Sequence, residues 1–276
     1  MNQEIMKRES NAPAVYQAPE IEVLKSDIIV PYVILAQGMS EAVVERAVQQ
    51  GDIYRSTTRE VLGNPDKPID VILLHYPTAD WVIEQKTGSR FEFRKTLPRN
   101  ASNETLEWQF WADHDGNEVE EGTKGATEWR RVKRMTVFAL LPSDIEAQEA
   151  ELQKAEAGEL PDPTKALTPV ILSFRSSSYK AGKECGNFVI KAKTMKQPPY
   201  RYMIQLCDYV DKNDEGTFYV WKVDQNKVKP VPKEFMPMVE EWAKLINSGV
   251  KLRADDSADT AGNSTGGERA VIAEEV

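Results

Sequence analysis

Two hydrophobic periods alternate along this chain. Asp27 to Leu35 is apolar and extended with a break at Pro31, and Gln37-Gly38 turns it. Ser40, an N-cap residue type, opens a short helix through Val43, Val44 and Ala47 that stops before Gly51. Asn64-Pro65-Asp66-Lys67-Pro68 is turn chemistry, and it feeds Ile69 to Tyr76, whose β-branched residues predict a buried strand. Trp81-Val82-Ile83 and Arg90 to Arg94 flank Thr87-Gly88 as a hairpin, with Phe91 and Phe93 sharing one face. Leu97 to Thr127 reads as a long loop tacked down by Trp108, Phe110 and Trp111. Trp129 to Leu141 begins basic and ends apolar, a strand stopped by Pro142. Ser143 and Glu146 then have the spacing of a capping box, opening a polar helix to about Ala157.

The second half repeats the alternation. Pro169 to Phe174 is a short apolar strand, and Tyr179, Gly182, Cys185, Phe188, Val189 and Ala192 recur at helical spacing behind it. Tyr200 to Val210 and Thr217 to Val223 are extended runs joined by a turn at Asp211 to Gly216. After Pro230 and Pro232, the residues Phe235, Met238, Val239, Trp242, Leu245 and Ile246 form one helical stripe that ends at Gly249. A helix between the third and fourth main strands is the order of an OB barrel. The fold class expected is therefore α+β and mainly antiparallel, an OB-like Greek-key barrel with helical insertions and a C-terminal helix. Its division is a flexible arm over 1–26, one domain over 27–250 and an acidic, disordered tail over 251–276.

Charge sharpens this picture. The chain of 276 residues has a formal net charge of −9, yet from Pro169 to Ile204 seven bases face the single acid Glu184. Cations interleaved with aromatic rings suit a single-stranded nucleic acid, whose phosphates need positive charge and whose bases stack on any ring. The candidate contacts are Arg130, Arg131, Lys133, Arg134, Arg175, Tyr179, Lys180, Lys183, Lys191, Lys193 and Tyr202. No apolar run approaches the ~20 residues of a membrane helix, and the charged N-terminus is unlike a signal peptide. Cys185, Cys207, His75 and His114 show no metal-ligand spacing, so neither a metal nor another cofactor is expected.

Four segments carry a resemblance: Pro31 to Ser40, Gly51 to Tyr54, Leu172 to Lys180 and Gly216 to Trp221. Together they resemble a group of tailed-bacteriophage proteins from replication modules. The resemblance implies a noncatalytic single-stranded DNA-binding protein of replication and recombination, at work in the bacterial host cell cytoplasm. The segment after Ala254 resembles the acidic tail of bacterial single-stranded DNA-binding proteins but lacks a closing aromatic, and it implies recruitment of replication or recombination proteins.

Two further readings belong to other classes. A metal-dependent nuclease would use Asp70 with Glu84, carboxylates on neighbouring strands able to hold magnesium. A phage structural or host-defence-inhibiting interaction protein would leave the basic island incidental. Asp211 to Gly216 imitates the opening of a calcium loop, but Lys222 stands where its bidentate Glu belongs. Ser177 to Lys180 has the S-x-x-K spacing without the companion motifs of acyl-serine enzymes.

Overall fold

The computed structural model describes residues 29–38, 40–87, 90–97, 109–213, 216–248, 251–254 and 270–272. Strands β1 (Ile29–Val30) and β2 (Tyr32–Leu35) are separated at Pro31, and helix α1 (Glu41–Val44) follows with Ser40 as its N-cap. The Ser40 hydroxyl donates to the Gln37 carbonyl and does not cap the helix. Next come β3 (Ile53–Arg55), β4 (Val61–Gly63), β5 (Ile69–Leu73), β6 (Thr78–Thr87), β7 (Arg90–Leu97) and β8 (Gln109–Ala112). The central strand β9 (Thr127–Leu140) leads into α2 (Pro142–Glu156), β10 (Val170–Arg175) and α3 (Tyr179–Thr194). Strands β11 (Tyr202–Asn213) and β12 (Gly216–Pro230) precede α4 (Met236–Asn247). Strands β13 (Lys251–Ala254) and β14 (Ala270–Ile272) fall in the stretch read as the tail, where they build a small sheet with β1.

The large sheet runs β12-β11-β5-β9-β10-β2-β3-β4, with the β6–β7 hairpin and β8 also attached to β9. One edge of β9 pairs with β8 and then β10, the other with β6 and then β5. Most pairs are antiparallel, whereas β10 and β2 run parallel.

Period-two alternation places apolar residues on both faces of the middle strands. Val71, Leu73, Val137, Ala139 and Leu172 enter one core, where α3 contributes Ala181, Cys185 and Val189. Ile72, Leu74, Phe138, Leu140 and Ile171 enter the other, under Ile145 of α2 and Val239, Ala243 and Ile246 of α4. Each fully buried Val, Ile or Phe contributes about 1.5–3 kcal/mol.

This two-faced burial overturns the barrel expectation. A small barrel hides apolar residues only inside and wets its outer face, but β5, β9 and β10 are covered on both sides. No ladder joins β12 to β4 among the described strands, and the sheet is neither closed nor curled. The loop after β2 instead touches β12 through one side chain: Gln37 Nε2 donates to the Tyr219 carbonyl at 2.9 Å, and its Oε1 accepts from Tyr219 N–H at 3.0 Å. The expected capping box also fails. Leu141 is the N-cap of α2 and Pro142 its first residue, so Ser143 already lies inside the helix.

Candidate metal centre

The β8–β9 connection begins with a tight turn. Ala112 bridges Glu118, Asp113 N–H donates to the Asn117 carbonyl at 3.0 Å, and Gly116 takes φ +84. Positive φ favours glycine, and a Cβ on Gly116 would come within 3.4 Å of the Trp129 ring beneath it. The Asp113 carboxylate organises the turn from inside. Its Oδ1 accepts from the N–H groups of Asp115 at 2.9 Å and Asn117 at 3.0 Å, and its Oδ2 accepts from Asn117 Nδ2 at 3.1 Å. The side-chain bond from Asn117, then that residue's backbone N–H, hold Asp113 below the usual carboxylate range.

This turn also places His114 Nε2 3.3 Å from Asp115 Oδ1. One donor atom from each of Asp113, His114 and Asp115 lies within 4.8 Å of the others. Two carboxylate oxygens and an imidazole nitrogen suit a first-row divalent ion such as Mn²⁺ or Zn²⁺ better than an all-oxygen ion. The set is hidden in the sequence because it contains no pair of histidines or cysteines at ligand spacing. The usable signal is Asp113-x-Asp115-Gly116-Asn117, two acids just ahead of the glycine that tightens the turn.

Several of the residues proposed for nucleic acid are engaged with protein groups. On β9 the arginines meet carboxylates. Arg130 and Arg175 both contact Glu84, at 2.6 and 2.9 Å, and Arg134 contacts Asp80 at 2.9 Å. Arg131 pairs with Glu118 and lies 4.1 Å over the Phe110 ring, while Lys133 lies 4.8 Å over Trp81. Lys180, Lys183, Lys191 and Lys193 are exposed along α3. Lys183 sits 5.3 Å over Tyr179, and Lys191 reaches Gln225 at 3.4 Å. Tyr202 meets Phe188 edge-on at 6.0 Å, and Tyr179 packs partly buried on the core.

Asp70 and Glu84 are also apart. Asp70 accepts from Lys229 at 3.0 Å on the β11 side of β5, whereas Glu84 is fully buried between its two arginines. Their strands meet β9 at opposite ends, with Ile72 facing Leu140 and Glu84 facing Arg130, a separation on the order of 30 Å along a strand. His75 has no ligand role. Its Nδ1–H donates to the Tyr76 carbonyl and its Nε2 accepts from Phe138 N–H at 3.0 Å, so both nitrogens are used.

No family model matches the chain, and neither a curated protein nor a solved structure matches it. That finding and the open sheet overturn the OB fold read from the strand order, and with it the single-stranded DNA-binding function and the phage replication role that the resemblance implied. The arginines of β9 and Arg175 are held in ion pairs with carboxylates, while the lysines of α3 stay exposed. Among the described residues no helix is long and apolar enough to cross a membrane.

Proposed function

We propose that the chain is a divalent-metal-binding protein whose ion is held by Asp113, His114 and Asp115. The observation that carries this reading is the convergence of three donor atoms within 4.8 Å on one turn. The hydrogen bonds that keep Asp113 ionised support it, because a ligand must be deprotonated to bind. The side chains of His114 and Asp115 are largely exposed, which makes the site weak and rapidly exchanging.

A Mn²⁺ titration followed by water-proton relaxation tests the proposal. Saturable binding of one ion, lost in the Asp113→Asn, Asp115→Asn double variant, is the expected result. Equal binding by the double variant overturns it.

A metal-dependent hydrolase is the second reading, favoured by the donor count. Three protein donors leave the outer positions of an ion to water, and a bound ion would supply Lewis acidity there. Mn²⁺-dependent cleavage of an oligonucleotide, absent in Asp115→Asn, supports it; an intact oligonucleotide at saturating Mn²⁺ removes it.

A further inference from the structure

A cavity of about 410 Å³ opens where the C-terminal end of α3, the Pro198–Tyr200 segment, the end of β5 and the last turn of α4 meet. That volume is in the range of small-molecule sites. It lies away from the turn after β8 and shares no residue with it.

The lining divides by chemistry. Leu74, Val189, Pro198, Pro199 and the ring of Tyr200 supply an apolar wall. Lys193 and Lys196 supply two ammonium groups, and no carboxylate lines the cavity. His75 borders it but is neutral, because both ring nitrogens are occupied and burial drives its pKa down to about 4. Among the described residues neither Lys193 nor Lys196 forms an ion pair, in contrast to the arginines of β9.

The end of α3 explains how the lysines reach the rim. Gln197 N–H donates to the Ala192 carbonyl at 3.0 Å and Lys196 N–H to the Lys193 carbonyl at 2.9 Å, the bond pattern of a Schellman stop. Lys196 holds the left-handed position with φ +56, where glycine would be relaxed. A lysine kept there, beside a second lysine and in a lining without a carboxylate, is backbone strain at a cationic cavity rim. The same hydrogen bonds satisfy terminal carbonyls of α3, which reduces the repulsion an anion meets at that end of a helix.

We infer that this cavity binds a small phosphomonoester with a ring body, its phosphate on Lys193 and Lys196 and its ring against Pro198, Pro199 and Tyr200. A phosphate near neutral pH carries about −1.5 to −2 charge, which matches two ammonium groups better than a single carboxylate does. Lysine serves such a group as a point charge. The free Nε2 side of Gln197 is left for a phosphate or ring acceptor, since its Oε1 accepts from Arg201 at 3.3 Å.

Calorimetric titration of the full chain with AMP, adenosine and inorganic phosphate is the test. AMP is expected to bind with Kd below about 1 mM, and each fragment at least about tenfold more weakly. Lys193→Gln and Lys196→Gly are each expected to weaken AMP binding about tenfold. Lys196→Gly also separates binding from folding, since glycine relaxes the left-handed position and the variant melts at or above the parent temperature. No AMP binding at about 10 mM, or unchanged affinity in both variants, overturns the inference.

Discussion

Glu84 and Arg175, 91 residues apart in sequence, meet at 2.9 Å at the junction of β6 and the end of β10. The other carboxylate oxygen lies 2.6 Å from Arg130, and the Glu84 side chain has no exposed surface. Burying a charge is costly unless partners satisfy it, and removing one partner from such a group costs about 3–5 kcal/mol. Glu84→Gln is therefore expected to lower stability by about that amount in urea denaturation. A loss under about 1 kcal/mol would show that water already screens the cluster.

Asp208 is the converse case. It is 8% exposed on the inner face of β11, and neither carboxylate oxygen has a hydrogen-bond partner beyond what its own N–H offers. Burial above all, with Asp52 and Asp66 adding to it, pushes its pKa up to about 6. Between about pH 4 and 6 the folded chain then keeps a proton that the unfolded chain has lost, so this group's contribution falls as pH rises through that window. Asp208→Asn is expected to gain about 1–3 kcal/mol at pH 7 and nothing at pH 4. Denaturant midpoints at the two pH values check it, and equal changes at both would sink the linkage.

His75 tilts the other way. Its pKa is lowered to about 4, mainly by burial, with the hydrogen bond to Tyr76 opposing. The unfolded chain takes up the proton near pH 6.5 and the folded chain does not, so stability present above about pH 6.5 is lost as pH falls toward 4. Melting temperatures of His75→Leu should lose that slope while falling at every pH, because Phe138 N–H is left without its acceptor. An unaltered slope in the variant would assign the acid sensitivity to other groups.

Gly182 sets how closely α3 lies on the sheet. A Cβ there would stand 2.8 Å from Met135 Cβ and 3.1 Å from Phe174 Cβ. Alanine favours a helix over glycine by about 1 kcal/mol, but this overlap is with the rigid roots of two core side chains. Gly182→Ala is expected to destabilise by about 1–3 kcal/mol. Gly186→Ala should be tolerated, since its nearest neighbours would be the hydroxyl end of Tyr76, at 3.3 Å and beyond. Equal melting temperatures for the two variants would show that α3 can shift outward.

Element types were legible where apolar periods are long. The patterns of β5, β9, β10, α3 and α4 read correctly because each buries a regular set such as Val239, Ala243 and Ile246. The open sheet was not legible. Strand order along the chain is compatible with a barrel, and only the second buried face, with Phe138 and Leu140 under α4, excludes it. The ion pairs of β9 were hidden for a related reason. Arg130 and Arg134 look like free cations in sequence, while Glu84 and Asp80, which face them, lie 46 and 54 residues away. The Asp113 turn was short enough to see, and was missed because a single histidine among acids resembles ordinary surface sequence.

The position of β9 bears on how the chain emerges from a ribosome. Strands β5, β6 and β8 are made before it, and each takes β9 as a partner. Until Thr127–Leu140 leaves the exit tunnel, only hairpin-type pairings such as β2–β3 and β6–β7 are available, with strand edges open to neighbouring nascent chains. Slowing translation just upstream of β9 should therefore lower soluble yield, and slowing it after Asn247, once every strand of the large sheet has been made, should not.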